Sequence, residues 1–321
     1  MRKTLSIILL SLGLVACGTA QQASVQDTQQ STIKPFTNAA LFVQDTAQQY
    51  HIDPTFVSNV LKEAQLNEKV QAILTPKASQ KRARQDWNQY RRNALHPSRI
   101  KDGIEFLHAH HAQLSKAEQI YGVPASIIAS IIGIETRYGK YMGNFKTLDA
   151  LYTLSFYYPD PSRENRILMF RQQLAALIYL AHEGRIDLNR TYGSYAGAVG
   201  YPQFMPLSIL NYAVNEQGNA HAKIDLDNHI DDAIMSVGNY FKAHGWVTGM
   251  PVFIEHSGPI SDEELQAKGW RRVVLKNYSN QTEDVRIATK NFDVIRAYNL
   301  SDFYATSVAD FAKILETSYG K

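Results

Sequence analysis

Apolar side chains recur at helical spacing along most of the chain, starting near residue 36. Residues three, four and seven positions apart share one face of a helix, so this pattern predicts amphipathic helices. Asp53 followed by Pro54 is typical of a helix start, and Ser301 is a suitable cap for the last helix. The predicted helices cover residues 38–50, 54–64, 97–120, 124–139, 147–155, 164–182, 231–244 and 302–317.

The pattern changes after Gly249. Residues 252–254 and 272–275 are short runs rich in β-branched or aromatic residues, separated by glycine, proline and serine, and they predict strands. We expect residues 251–290 to form a small, mainly β insertion, and residues 292–298 to form a strand that leads out of it. The whole pattern predicts an α+β protein that is predominantly α-helical.

The N-terminus has the pattern of an export signal. Arg2 and Lys3 precede an apolar run that is too short to span a bilayer as a mature helix. The run ends in Leu-Val-Ala-Cys17, which resembles a bacterial lipobox. The resemblance implies removal of residues 1–16 and a lipid on Cys17, with an ordinary signal peptide and an incidental cysteine as the alternative. Residues 17–34 are polar and predict a flexible tether.

Charge and cysteine content exclude several classes of function. The net charge is +3, and removing Arg2 and Lys3 with the signal lowers it to +1, so nothing favours binding to nucleic acid. The basic residues at 81–84 and 91–92 indicate a solvated helix face, or a contact with an anionic polymer such as a cell wall. Cys17 is the only cysteine, which excludes a disulfide within the chain and a cysteine metal site in the folded part.

Glu135 is the only acid in the otherwise nearly apolar helix predicted for residues 124–139. Pro124 suits the beginning of this helix and Gly139 its end. A carboxyl group among isoleucines is costly to ionise, and the nearby negative end of the helix dipole adds to that cost, so its pKa should rise. A carboxylic acid that keeps its proton near neutral pH is what cleavage of an acetal requires. The alternative is a structural glutamate that pairs with Arg137 or Lys140, or is simply solvated.

A second candidate site is the glycine-rich stretch at 193–206. Glycine at 193, 197 and 200 allows another backbone or a ligand to approach closely. Ser194, Tyr195, Tyr201 and Gln203 would offer neutral donors and aromatic faces, which suit sugar rings. The alternative is a tight junction between helices that requires small residues.

Residues 215–227 resemble a calcium loop only in part. Asn215 and Asn219 stand at the first and fifth positions, but Ala220 and Leu226 stand where a glycine and a bidentate glutamate are needed. The ligand charge is too low, so we expect no cofactor, and bound calcium is the less favoured alternative. His108, His110 and His111 have no matching carboxylate or cysteine cluster and indicate a polar helix face.

Several stretches together resemble the B-type lytic murein transglycosylases, glycoside hydrolase family 103. The resemblance spans nearly all of residues 36–317. The matching stretches occur in family order at 121–124, 131–139, 148–151, 154–156, 193–201, 203–206 and 239–246. The resemblance implies a lysozyme-like catalytic core and cleavage of the β-1,4 bond between N-acetylmuramic acid and N-acetylglucosamine, with formation of a 1,6-anhydro end.

The resemblance also assigns roles to individual residues. It implies that Glu135 is the single catalytic acid and base, a role that fits the lack of a convincing second carboxylate, since Asp149 lies in a helix and Asp160 in a proline-flanked loop. The positions implied to contact glycan are Ser194, Gln203, Tyr240, Tyr298 and, through the looser frame at 87–91, Tyr90.

Three departures from the family pattern change these expectations. The 215–227 loop is longer and lacks acidic ligands, so the family's metal is not expected here. The loop at 158–166 is also longer, which leaves open whether Arg163 or Arg166 contacts the substrate. Pro202 replaces a glycine of the family pattern before Gln203.

These observations predict a chain in five parts: signal (1–16), tether (17–34), helical region and catalytic core (35–250), β-rich insertion (251–290), and a C-terminal strand and helix (291–321). Gly18 after Cys17 would fit an anchor in the outer membrane, facing the periplasm. The expected substrate is the glycan strand of peptidoglycan, and recruitment to cell-wall synthesis or division complexes is left open. A hydrolytic muramidase and a non-catalytic peptidoglycan-binding lipoprotein are the alternatives.

Overall fold

The computed structural model describes residues 39–75, 85–256 and 258–319. Within these residues the chain forms fourteen helices and five short strands. The helices are α1 (Ala39–Tyr50), α2 (Pro54–Glu63), α3 (Glu68–Leu74), α4 (Trp87–Ala94), α5 (Pro97–Ala109), α6 (His111–Tyr121), α7 (Ala125–Thr136), α8 (Thr147–Phe156), α9 (Glu164–His182), α10 (Pro206–Tyr212), α11 (Ile230–Ala243), α12 (Asp262–Ala267), α13 (Lys290–Tyr298) and α14 (Asp302–Tyr319). The strands are β1 (Phe145–Lys146), β2 (Tyr192–Gly193), β3 (Phe253–Ile254), β4 (Arg271–Asn277) and β5 (Thr282–Ala288).

Helix α7 lies at the centre of the main core. It packs against α5, α6, α11 and α14. Ile128, Ile131 and Ile132 are completely buried, and Ile127 and Ile134 bury its other faces. A helix that is apolar on all sides is stable only when it is surrounded by other elements, and this arrangement agrees with the sequence pattern.

The structure contains two small antiparallel sheets. Strands β1 and β2 pair through Phe145 with Gly193 and Lys146 with Tyr192. The second sheet has the order β3-β5-β4 and lies within 251–290, where the sequence predicted a β insertion. Strand β5 was not predicted, because its first residues are polar and exposed, although it is the central strand of this sheet.

The prediction of a strand at 292–298 is wrong, because these residues belong to helix α13. Phe292, Val294, Ile295 and Tyr298 are aromatic or β-branched residues, which are common in strands. The helix begins at Thr289, whose side-chain oxygen accepts the N–H of Asn291 at 3.2 Å. Phe292 and Ile295, one helical turn apart, are both fully buried, and this burial decides in favour of the helix.

Two predicted helix boundaries also differ from the structure. The single helix predicted for 97–120 is interrupted at His110, where α5 ends and α6 begins. Helix α7 ends at Thr136, three residues before Gly139, because Arg137 already adopts a left-handed conformation. The predicted caps of α2 and α14 are present: Asp53 accepts the N–H of Thr55 at 2.7 Å, and Ser301 accepts that of Tyr304 at 3.3 Å.

The predicted signal peptide at 1–16, the tether at 17–34 with Cys17, and the basic residues at 81–84 lie outside the described residues. No single helix in the described part is long and apolar enough to cross a membrane. Helices α6 and α7 reach that length and composition only as a pair, bent by 115° at the break between them.

Candidate active site

Glu135 lies in the last turn of α7. Every other residue from Ser126 to Thr136 is buried, whereas Glu135 is only partly buried and reaches the surface. Burial raises the pKa of Glu135 to about 7, although a hydrogen bond from the Tyr304 hydroxyl acts in the opposite direction. The carboxyl group can therefore exist in both protonation states near neutral pH, as a group that serves as acid and then as base must.

The chain turns sharply after Glu135. Arg137, Tyr138 and Gly139 have φ angles of 50°, 58° and 85°, three left-handed residues in succession. A non-glycine residue in this region costs about 1–2 kcal/mol, so other contacts must hold it there. The Arg137 guanidinium bonds Asp102 at 2.6 Å, and the Tyr138 ring stacks on Phe106 at 4.7 Å. These contacts end α7 and leave Glu135 at its exposed end.

Three tyrosines surround the Glu135 carboxyl group. The Tyr304 hydroxyl donates to Glu135 Oε1 at 2.5 Å. Burial raises the pKa values of Tyr90, Tyr298 and Tyr304, and the nearby charge of Glu135 raises all three further. Among the described residues, Glu135 is the only carboxylate whose charge raises the pKa values of these three hydroxyls. The site therefore combines one carboxyl group with three neutral phenols.

Tyr240 supports this cluster from behind. Its side chain is only 7% exposed, and its hydroxyl donates to the Ala297 carbonyl at 2.9 Å. The ring of Tyr240 packs edge-on against that of Tyr298 at 4.9 Å, and Phe204 contacts both rings. The structure thus places Tyr240 next to the predicted site residue Tyr298, but with its hydroxyl already engaged.

The glycine-rich stretch runs along the same site. Val199 pairs with both Gly193 and Phe204, which folds the stretch back on itself. The Thr136 hydroxyl donates to the Tyr201 carbonyl at 3.0 Å, directly beside Glu135. The Tyr298 hydroxyl donates to the carbonyl of Pro202 at 2.5 Å. Residues 201–202 are therefore held between the end of α7 and the tyrosine cluster.

Gln203 and Ser194 occupy the two ends of this stretch. Gln203 has a left-handed φ of 51°, and its amide nitrogen donates to the carbonyls of Met142 and Gly200 at 3.1 and 2.9 Å. The amide oxygen of Gln203 is the atom left to bind a ligand donor. The Ser194 hydroxyl oxygen accepts the N–H groups of Ala196 and Ala198, so its proton is the part that can donate to a ligand.

Apart from Glu135, Asp227 is the only carboxyl group among the described residues whose pKa is raised, here to about 6 by burial. Its carboxylate interacts with the backbone N–H groups of Tyr192 and Gly200. With Asp187 and Thr191 it lines a separate cavity of about 60 Å³ that has no lining residue in common with the tyrosine cluster. Asp227 was not identified from the sequence, and the structure does not bring it beside Glu135 as a second catalytic carboxylate.

The calcium-like loop that begins at Asn215 does not fit the ion. Calcium takes about six to eight oxygen ligands. Here the Asn215 side-chain oxygen accepts the N–H groups of Gln217 and Asn219 at 3.0 and 2.8 Å, and an Asp225 oxygen accepts that of Asn228 at 2.8 Å. The loop directs its own N–H groups at the oxygens that a cation would need.

Arg163 and Arg166 both lie at the beginning of α9. Arg163 pairs with Asp160 at 3.3 Å and is exposed, whereas Arg166 donates to the Tyr158 hydroxyl at 3.4 Å. Both belong to the 158–166 loop, and their contact with a substrate stays a prediction.

Comparison with known proteins adds a family to this geometry. Residues 36–313 match the family described as Transglycosylase SLT domain. The chain belongs to this family. It is 37% identical over 227 residues to membrane-bound lytic murein transglycosylase B of Escherichia coli (strain K12), a match that covers 69% of this chain and 61% of the relative. The chain thus matches less than two thirds of the length of this relative.

Two solved structures of family relatives have the same fold. Soluble lytic transglycosylase SltB1 from Pseudomonas aeruginosa superposes with a TM-score of 0.73 at 34% identity, covering 88% of this chain and 99% of that one. Escherichia coli Slt35 in complex with calcium superposes with a TM-score of 0.71 at 31% identity, covering 88% and 93%. The lysozyme-like, predominantly helical α+β fold is therefore confirmed.

Tyr304 is the residue of the candidate site that the sequence analysis missed. Its side chain is 2% exposed and lies in the first turn of α14. The one available signal was Ser301, which correctly marks the start of α14. Because the contact joins residues 169 positions apart, no local pattern indicates that Tyr304 meets Glu135.

Proposed function

We propose that this protein is a peptidoglycan lytic transglycosylase in which Glu135 is the only catalytic acid and base. The observation that carries the proposal is a partly buried carboxyl group with a pKa raised to about 7, beside three tyrosines. Among the described residues, no second carboxylate raises the pKa values of these tyrosines. Most glycoside hydrolases use two carboxyl groups. One is sufficient when the substrate supplies its own nucleophile. The relatives, named as lytic transglycosylases, support the same reaction.

The reaction balances without water. Protonated Glu135 gives its proton to the glycosidic oxygen, and the bond from the anomeric carbon to that oxygen breaks. The acetamido oxygen of the muramic acid ring supports the positive anomeric carbon. The Glu135 carboxylate then takes the proton from the C6 hydroxyl as this oxygen bonds to the anomeric carbon. The enzyme regains its proton, and the products are a free 4-hydroxyl and a 1,6-anhydro ring.

Tyr304 orients Glu135 for both steps. Its hydroxyl donates to Oε1, so Oε2 is the oxygen that carries the transferred proton. A hydrogen bond to a carboxylate is stronger than one to a neutral acid. The bond from Tyr304 therefore stabilises the anion that exists between the two steps. It also prevents burial from raising the pKa so far that Glu135 could not give up its proton as an acid.

The glycan is proposed to lie along the surface formed by the tyrosines and the glycine-rich stretch. Tyrosine rings offer apolar faces to sugar rings, and serine and glutamine offer neutral hydrogen-bonding groups to their edges. Ser194 would donate through its hydroxyl, and Gln203 would accept through its amide oxygen. The residues proposed to contact glycan are Ser194, Gln203, Tyr240, Tyr298 and Tyr90, with Arg163 or Arg166 near the peptide stem.

We further propose that the enzyme acts from the periplasmic side of the outer membrane. The support is the lipobox-like sequence before Cys17, with removal of residues 1–16 and a polar tether at 17–34. The tether would reach on the order of 20–25 Å, enough to hold the domain away from the membrane surface.

The proposal is tested by mass spectrometry of products from purified sacculi, with the full-length protein beside Glu135→Gln. Anhydro-ended muropeptides from the wild type alone are expected. Reducing ends, heavier by one water, would instead indicate a hydrolytic muramidase. Sacculus binding without cleavage by a correctly folded wild type would indicate a wall-binding lipoprotein.

A further inference from the structure

Asp232 is a buried carboxylate in the first turn of α11. Its side chain is only 3% exposed, whereas its neighbour Asp231 is partly exposed. Oδ1 of Asp232 accepts the N–H of Glu216 at 2.8 Å, and Oδ2 accepts the N–H of Asp225 at 3.0 Å. The His229 ring nitrogen Nδ1 lies 2.9 Å from Oδ1. One carboxylate therefore joins both sides of the loop formed by residues 215–228.

This arrangement is the reverse of a calcium loop. In a calcium loop, oxygen atoms point inward at a cation. Here an anion is at the centre, and backbone N–H groups point at it. Glu216, His229 and Asp232 do place potential ligand atoms within 4.8 Å of one another. However, the two oxygens of Asp232 already accept the N–H groups of Glu216 and Asp225, and Nδ1 of His229 lies within hydrogen-bond distance of Oδ1.

One side of the loop is attached to the core. The Glu216 carbonyl accepts the side-chain nitrogens of Gln113 and Lys116 from α6, at 3.1 and 2.8 Å. Asp232 thus connects the Asp225 side of the loop to Glu216, which contacts from α6 already hold in place.

The Asp225 side of the loop supports the active site. The carbonyl of Leu226 accepts the N–H of Tyr201 at 2.9 Å, and a side chain at Gly200 would meet the same carbonyl at 2.2 Å. The carbonyl of Tyr201 in turn accepts the hydroxyl of Thr136, next to Glu135. A continuous series of contacts therefore runs from Asp232 through Leu226 and Tyr201 to the end of α7.

We propose that Asp232 is a positioning residue for the Glu135 site: as a built-in anion it closes the 215–228 loop without a metal and thereby positions Tyr201 and the adjacent Gln203. The activity readout of this inference rests on the proposed function. Amide exchange and thermal unfolding test it independently, because neither requires a substrate.

The main variant is Asp232→Asn, with Asp231→Asn as its matched control. Both remove one negative charge from the same helical turn, but only the first replaces an oxygen that accepts a loop N–H. In the folded Asp232→Asn protein, we expect the amide N–H of Tyr201 to exchange at least about tenfold faster, because its acceptor segment is released. Asp231→Asn should keep the wild-type exchange rate. Hydrogen exchange with mass spectrometry of peptides covering 196–205 measures this difference.

Activity is compared at a temperature where circular dichroism shows each variant to be fully folded. We expect kcat/KM on sacculi to fall about tenfold in Asp232→Asn, the effect of one lost charge-assisted hydrogen bond. In the Glu135→Gln background, Asp232→Asn should also weaken binding to sacculi, because Gln203 is displaced. A merely structural role would lower the unfolding temperature and leave both quantities unchanged.

The effect of calcium on the unfolding temperature is a third test. Neither calcium chloride nor EDTA should change the unfolding temperature of the wild type, and calcium should not restore Asp232→Asn. Two outcomes would overturn the proposal: stabilisation of the wild type by calcium, or wild-type exchange at Tyr201 in folded Asp232→Asn. If Asp232→Asn does not fold, Asp232→Glu carries the same test, because it keeps the charge but moves the carboxylate by one methylene.

Discussion

The hydroxyl of Tyr304 donates a 2.5 Å hydrogen bond to Oε1 of Glu135 from a position 169 residues further along the chain. Burial raises the pKa of Glu135, and this bond limits the rise. The balance between the two gives the carboxyl group a pKa of about 7, at which it can donate a proton and then take one back.

Replacing Tyr304 by Phe should impair the first half of the reaction, in which Glu135 gives up its proton. The carboxylate loses its hydrogen bond, so we expect the rate to fall roughly ten- to a hundredfold, the value of one bond to a charged group. The pKa of Glu135 should rise further, which moves the alkaline limb of the pH profile upward. Release of soluble fragments from sacculi between pH 5 and 9 measures both effects.

Tyr298→Phe is the control for this prediction, because the Tyr298 hydroxyl donates to the Pro202 carbonyl rather than to Glu135. It should leave the alkaline limb in place. A wild-type rate and an unchanged limb in Tyr304→Phe would contradict the assigned role.

The wild-type enzyme should lose activity as the pH rises above neutrality. Glu135 must be protonated to donate a proton to the glycosidic oxygen, so the rate should fall by half near pH 7 and about tenfold for each further unit. The rate of cleavage under conditions far below saturation, measured at constant ionic strength, reports this limb. A rate that stays constant up to pH 9 would show that Glu135 is not the acid.

Glu135→Gln should be more stable than the wild type at alkaline pH. The unfolded chain releases the Glu135 proton near the ordinary value of 4.5, but the folded protein releases it near 7. The stability contributed by the neutral acid is therefore complete below pH 4.5 and is lost as the pH rises to about 7. Glutamine does not titrate, so its advantage should grow over this window to about 3 kcal/mol.

Urea unfolding of both proteins at pH 5 and pH 8 tests this prediction. The difference in the free energy of unfolding should be larger at pH 8. Equal differences at the two pH values would mean that the pKa of Glu135 is not raised.

Gly139→Ala should destabilise the protein through the Tyr201 ring. The φ of Gly139 is +85°, and an added Cβ would lie 2.4 Å from that ring. We expect a loss of about 2–4 kcal/mol, from backbone strain together with overpacking, and reduced activity because Tyr201 must move.

Gly184→Ala separates the two contributions. Gly184 has a similar φ of +67°, but a Cβ there has no neighbour within 4 Å. This variant should lose only about 1–2 kcal/mol, the cost of the left-handed backbone. Thermal unfolding of both variants measures the difference, and equal losses would indicate that Tyr201 does not constrain Gly139.

The local sequence correctly predicted the helices in which apolar residues recur clearly at helical spacing. The helix at 164–182 has the predicted bounds, and α7 begins at the residue after Pro124. The strand expected at 292–298 failed because a short stretch rich in aromatic and β-branched residues also fits a helix that buries Phe292 and Ile295. Strand β5 was missed because its first residues are polar and give no strand pattern. It is the central strand because β3 and β4 pair with it on either side.

The sequence by itself determined the chemical character of Glu135. An acid among isoleucines is buried wherever the helix packs, so the rise in its pKa follows from neighbours within one turn of the chain. Only the tertiary structure decided which groups meet that acid. Tyr304 and Tyr298 reach the site from helices α14 and α13, and Asp232 supports it through a loop whose N–H groups it accepts. Such contacts depend on how helices pack across long separations in sequence, and no local periodicity encodes them.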